Sequence, residues 1–417
     1  MLSLILFCAS FVGSLCVPST PPGSVNLVHA LWAAWGSDNT PLEGIVSAAH
    51  EACNVRGFST VRVAASPYWP AQWALYLSNE TAYWEAAVPF AEALTAQGCN
   101  AVYSLFWNIF SLPDLFGESL GSLVAGAQGD GSSLAFNESL RYIDAFVGRF
   151  AQSQSVTAWE LTNEFNLLFD LDQSSFCNSC NGPGAPSRRT KADNVSTDGG
   201  ILLLTAWADR IRSVDPLKRP ISSGNSLPRA SAEHLRASYL LPARNWTEDT
   251  FLDFEKNFGD VSSCCEWASA HIYPGEDNAR WGKTTAEDPT IVWYVQAAAS
   301  SRGKTLFVGE FGQLPSPGMD PAAPRPFVTG LLDALENPLS PGMRGVTSLA
   351  LMWTWEFGNQ NGTEHNSWAL WPGVTQGAID SLLWYNGNRS LKASILSEEQ
   401  VPYFDGKVGM VAHDKKK

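Results

Sequence analysis

One unit recurs along the chain: an amphipathic stretch of helical period, a Gly or Pro break, and an apolar run ending in polar or aromatic residues. "ETAYWEAAVPFAEALTAQG" reads as a helix stopped at Gly98, and "CNAVYSLFW" follows as a strand. "NESLRYIDAFVGRFAQ", with Asn137 as the expected N-cap, precedes "VTAWELTNE". "ILLLTAWADRIRSVDP" precedes "RPISSGN", "TIVWYVQAAASSRG" precedes "KTLFVGEFG", and "PFVTGLLDALENP" precedes "VTSLALMWTWEF". With "SVNLVHALW", "GFSTVRVAASPYW" and "EWASAHIYP" the strands number eight. Strands alternating with helices argue for parallel β/α units, and eight such units close a (β/α)8 TIM barrel. A doubly wound open sheet is the competing fold, but no Gly-rich phosphate loop follows the first strand.

The long polar connections, about residues 108–135, 165–198, 226–262 and 356–380, each follow a strand. In such a barrel the loops after strands build the active-site face. The strand ends then carry the candidate chemistry. Arg62 lies in the second strand, Asn163 and Glu164 end the fourth, His271 and Tyr273 end the sixth, and Glu310 ends the seventh. Trp353 and Trp355 end the eighth. Two carboxylates facing each other across a cleft suit glycosidic bond cleavage, one protonating the leaving oxygen while the other attacks or activates water. Taken singly each residue has a plainer explanation: Arg62 pairing with a buried Glu160, a structural His271, tryptophans in the core. Five at the ends of the right strands, in order, are harder to explain away. Trp69, Trp107, Trp281 and Trp368 are candidate platforms for pyranose rings, with Trp69 and Trp107 nearest the mouth.

With those residues in that order, the sequence resembles glycoside hydrolase family 5, the cellulase and β-mannanase family of the retaining (β/α)8 clan, from about residue 25 to 390. The resemblance implies Glu164 as acid/base and Glu310, in "GEFG", as nucleophile. It implies Arg62, Asn163, His271, Tyr273 and Trp353 as the surrounding binding residues. Retention would then require carboxyl groups roughly 5–5.5 Å apart. Two departures concern the substrate. Phe165 stands where many members have Pro, and Trp107-Asn108 where many have a His after the third strand. "WELTNE" leans towards β-1,4-mannan, with a β-1,4-glucanase or an exo-acting β-glycosidase as alternatives and a glycan-binding barrel without activity as the other class.

Composition narrows the setting. Of 417 residues 45% are hydrophobic and 16% charged, and the formal net charge of −14 argues against a nucleic-acid partner. Residues 1–16 read as a signal peptide, 17–400 as one catalytic domain and 401–417 as a tail, with no membrane-spanning stretch. Six cysteines remain after residue 16: Cys53, Cys99, Cys177, Cys180, Cys264 and Cys265. Their even count suits disulfides of an oxidising compartment, in any of fifteen pairings. The C-x-x-C at 177–180 reads as structural rather than zinc-binding. Sequons at Asn79, Asn137, Asn194, Asn245, Asn361 and Asn388 point the same way. The expectation is a secreted, monomeric glycoprotein acting on a β-linked polysaccharide or oligosaccharide, without a metal or organic cofactor.

Overall fold

The computed structural model describes residues 23–27, 42–175, 180, 182–275, 280, 281, 288–314, 320, 323–337, 347–355, 370, 378–383 and 386. Eight strands close a barrel in sequence order. They are β1 (Gly23–Asn26), β2 (Thr60–Ala64), β3 (Asn100–Phe106), β4 (Val156–Thr162), β5 (Ile221–Ser222), β6 (Trp267–Ile272), β7 (Thr305–Phe311) and β8 (Thr347–Met352). Every pairing is parallel, and β1 closes on β8 with Val25 opposite Met352. Helices α1 (Leu42–Ala49), α2 (Pro70–Ser78), α3 (Glu80–Ala96), α4 (Ser111–Phe116), α5 (Leu120–Ala125) and α6 (Leu134–Phe150) belong to the first half. Helices α7 (Thr197–Val214), α8 (Ala232–Ala237), α9 (Phe251–Val261), α10 (Ile291–Ser301) and α11 (Pro326–Glu336) belong to the second. The expected barrel is therefore the fold.

The period of two sorts side chains to the two barrel faces. In β4, Trp159 and Leu161 join the core between barrel and helices, whereas Ala158 joins the barrel interior with Val102, Trp267, Phe307, Leu349 and Leu351. Both faces are covered, which is why the strands read as nearly continuous apolar runs.

Some details differ from expectation. The helix before β4 begins three residues earlier than Asn137, and Ser133 caps it by accepting from the Phe136 amide. The sequon asparagine thus sits exposed within the first turn. The connections after β3 and β5 are not plain loops, because they contain α4 and α5 and α8 and α9 respectively. Short apolar stretches such as Leu120–Ala125 lack the length to declare a helix by periodicity alone.

Cys53 and Cys99 are joined, tying the turn after α1 to the end of α3 over a separation of 46 residues. Cys180 is also disulfide-bonded. Cys264 and Cys265, expected to be oxidised, are instead free and buried. Residues 1–16 and 401–417, Cys177, Trp368 and the sequons at Asn361 and Asn388 lie outside the described residues. A loop of this size makes the first disulfide worth about 2–4 kcal/mol. Cys53→Ser/Cys99→Ser should therefore lower the urea midpoint and, by letting the unfolded chain expand, steepen the slope; an unmoved midpoint would show that the link contributes nothing.

Candidate active site

Arg62 organises the barrel mouth. It is fully buried, and its Nε donates to Glu160 Oε1 at 2.7 Å. Its Nη1 donates to Glu310 Oε1 at 2.7 Å and to Asn26 Oδ1 at 3.2 Å, and its Nη2 to Asn163 Oδ1 at 2.9 Å. The plain pairing with Glu160 and the functional one with Glu310 are thus both present. Burial alone would lower the guanidinium pKa, but the two carboxylate charges and their hydrogen bonds raise it. Asn26, which the sequence reading passed over, donates from Nδ2 to the carbonyls of Gly309 and Leu351 and so ties β1 to β7 and β8. A polar residue in the apolar run "SVNLV" was the available signal.

Glu310 is 5% exposed. Strict alternation would send it outward with Leu306 and Val308, which pack against the helices. The pairing shifts register between Ala270 and His271 on β6, and between Val308 and Phe311 on the β8 side. Such irregularities re-aim side chains near active sites, and this one turns Glu310 into the mouth opposite His271. Gly309 is needed there, because a Cβ would fall 2.8 Å from His271 Nε2. Tyr273 donates from its hydroxyl to Glu310 Oε2 at 2.8 Å. Burial, then the Glu310 charge, holds the Tyr273 phenol well above its ordinary pKa, so it remains a donor.

Glu164 stands across from Glu310 with a left-handed backbone, φ 54°. A non-glycine residue in that region carries strain that the surroundings must hold. The Glu164 amide donates to the Gly224 carbonyl at 2.8 Å. Gly224 has φ +73°, and a Cβ on it would lie 1.8 Å from the Thr162 carbonyl oxygen, so only glycine lets the β5 end approach this closely. His271 Nδ1 lies 3.1 Å from Glu164 Oε1 and 3.6 Å from Glu310 Oε1. One oxygen of each glutamate and the imidazole nitrogen lie within 4.8 Å of one another. Burial pushes the Glu164 carboxyl up, but the His271 hydrogen bond and charge, a Ser226 hydrogen bond and the Arg62 charge outweigh it and leave it below its ordinary value. The same three groups have the donor types of a metal site. The Arg62 guanidinium at 2.7 Å already occupies Glu310 Oε1, however, and would repel a cation.

The tryptophans divide. Trp353 and Trp107 stack with centroids 6.0 Å apart, and Trp107 also lies 4.2 Å from the Arg62 guanidinium carbon. Trp107 is thus held between a cation and an indole. Trp69 caps α2, and the Gly182 backbone packs against its ring. Its neighbour Tyr68, missed in the sequence, lines the cleft instead. Trp281 donates to the Asp249 carbonyl and packs on Phe254, Phe251 and Tyr294, a structural position. Trp355 is buried against Phe58. A cleft of about 680 Å³ opens from Asn163 and Glu164 between the connections after β3, β4 and β5.

The class defined by this fold is the (β/α)8 barrel, with its polar cluster at the C-terminal strand ends. Among solved structures, the chain is similar to an endo-beta-1,4-mannanase from Thermotoga petrophila, at 10% identity and TM-score 0.59 over 88% of this chain and 77% of that one. It is similar to the endo-1,4-beta-mannanase from Rhizomucor miehei, at 11% identity and TM-score 0.58 over 89% and 94%. It is also similar to a GH5_18 protein from Streptomyces cattleya solved with GlcNAc, at 16% identity and TM-score 0.52 over 92% and 82%. At these identities the likeness is one of fold. No protein-family model and no curated protein matches the sequence.

Proposed function

We propose that the protein is a secreted, retaining β-glycosidase of the glycoside hydrolase family 5 type, acting on a β-linked polysaccharide, with endo-β-1,4-mannanase activity the first to test. The observation that carries this reading is the Glu164–Glu310 pair, with oxygens within 4.8 Å. So close an approach of one oxygen from each favours direct attack by a carboxylate over inversion, in which carboxyl groups roughly 6.5–9.5 Å apart seat a water between them. Glu310, bonded by Arg62 and Tyr273, attacks the anomeric carbon. Glu164, the more exposed of the two, protonates the departing oxygen and then takes a proton from the water that releases the sugar. Asn163, held by Arg62, is placed to meet the 2-hydroxyl. The mannanase preference rests on "WELTNE" and on the two mannanases of similar fold.

Incubation with β-mannan, glucomannan, β-glucan, cellulose and xylan, with the product anomer followed by NMR, tests the reading. Release of oligomers that are first β-configured is expected. First-formed α products, or no turnover of any polymer, would overturn it.

The pH profile should report His271. A general acid must carry its proton, so kcat/KM is expected to fall as pH rises through the Glu164 pKa, on the acid side of neutrality. His271→Asn removes the strongest opposition to burial. The basic limb of the kcat/KM profile should then move to higher pH; a limb that stays in place would separate His271 from Glu164.

A further inference from the structure

The cleft beside Glu164 holds two guanidiniums that the proposed reaction does not use. Arg229 and Arg244, both from the connection after β5, line it together with Trp246. Arg229 donates from Nη2 to the Leu167 carbonyl at 3.0 Å, and its buried Nε has no partner among the described residues. Arg244 donates from Nη1 to the carbonyls of Ser238 and Tyr239, and its guanidinium lies over the Tyr239 ring. Among the described residues neither meets a carboxylate at ion-pair distance, whereas Arg62, Arg189, Arg219 and Arg236 all do.

This arrangement runs against the composition. A chain of formal net charge −14 has carboxylates to spare, yet among the described residues neither of these two guanidiniums is given an ion-pair partner in the cleft. The Leu167 carbonyl anchors one nitrogen of Arg229, but its buried Nε is left unsatisfied among the described residues. Asp172 also lines the cleft; it is half-buried, accepts from the hydroxyl and amide of its own neighbour Ser174, and feels the Arg244 charge without an ion pair. Trp246 is 61% exposed and presents an indole to the same cleft.

We propose that this wall of the cleft binds an anionic substituent of the glycan, a carboxylate or a sulfate ester on one of its sugars, with Arg229 and Arg244 as counter-charges and Trp246 stacking on the ring. The inference rests on the glycosidase reading and names the substrate class of the same cleft. Guanidinium forks match both oxyanions in two-point geometry.

The test is calorimetric titration of the full-length Glu164→Gln variant, in which turnover is blocked. The probes are neutral β-1,4-mannotetraose, β-1,4-tetramannuronate and 6-O-sulfated mannotetraose. At least one anionic probe should bind about tenfold or more tightly than the neutral one, equivalent to about 1.4 kcal/mol. The advantage should shrink with added salt and vanish when Arg229→Gln and Arg244→Gln are combined in the same background. The probe that wins distinguishes carboxylate from sulfate. An absence of binding by all three, no advantage for either anion, or an advantage that survives in the double variant would each overturn the proposal. Failure of the wild-type protein to hydrolyse any β-glycan would count separately, against the glycosidase reading.

Discussion

Glu310→Gln is expected to reduce glycoside hydrolysis by on the order of 10⁴-fold or more, since loss of a covalent nucleophile removes the reaction path rather than one stabilising contact. The amide fills the same space but cannot attack, and Arg62 keeps Glu160 as its counter-charge. The melting temperature should therefore hold while activity is lost. Glu310→Ala adds a second reading of the same step. With an activated nitrophenyl β-glycoside, azide can enter the vacated space and attack the anomeric carbon as nitrophenolate departs, giving the α-glycosyl azide. Near wild-type hydrolysis by Glu310→Gln would sink the assignment. So would failure of azide to yield product with Glu310→Ala while the wild-type protein turns over the same glycoside.

The barrel and the order of its polar strand ends were legible because they depend on periodicity and on burial of both sheet faces. Arg62 in "TVRVA" and Glu160 in "AWELT" stand out as charges in runs that can only be barrel strands. A buried charge needs a partner, and each supplies the other. Glu310 was legible as a strand-end carboxylate, but its direction was not. Alternation alone would send it outward, and the register shifts that reverse it depend on neighbouring strands far away in the chain. The left-handed backbone of Glu164 is likewise set from outside, by the Gly224 contact. Local propensity carries no trace of either.

Aromatic residues showed the opposite failure. "SPYWP" contains two rings, and sequence offers no rule for which one faces the cleft. The answer depends on the packing of Gly182 against Trp69, which leaves Tyr68 at the mouth. The free state of Cys264 and Cys265 was equally hidden, because an even count constrains pairing only if every cysteine is oxidised.

The largest stability effect should come from Arg62. Arg62→Met preserves much of the side-chain volume but strands Glu160 and Glu310 in the barrel mouth without the cation they share. Breaking a buried pair from one side costs about 3–5 kcal/mol, a large part of the 5–15 kcal/mol typical of a folded domain. Glu160 is the more exposed to this loss, since it is wholly buried and its Oε2 has no partner among the described residues. Adding Glu160→Gln to Arg62→Met should therefore restore part of the stability, and a double-mutant cycle in urea would measure the coupling. Activity should not return with it, because Glu310 would still lack the Arg62 hydrogen bond that holds its Oε1. Arg62→Lys would not substitute, as one ammonium cannot reproduce a fork that reaches Glu160, Glu310 and Asn163 together. A variant Arg62→Met that melts like the wild type would mean that the two carboxylates are neutralised by other means, and the central role given to Arg62 would fall.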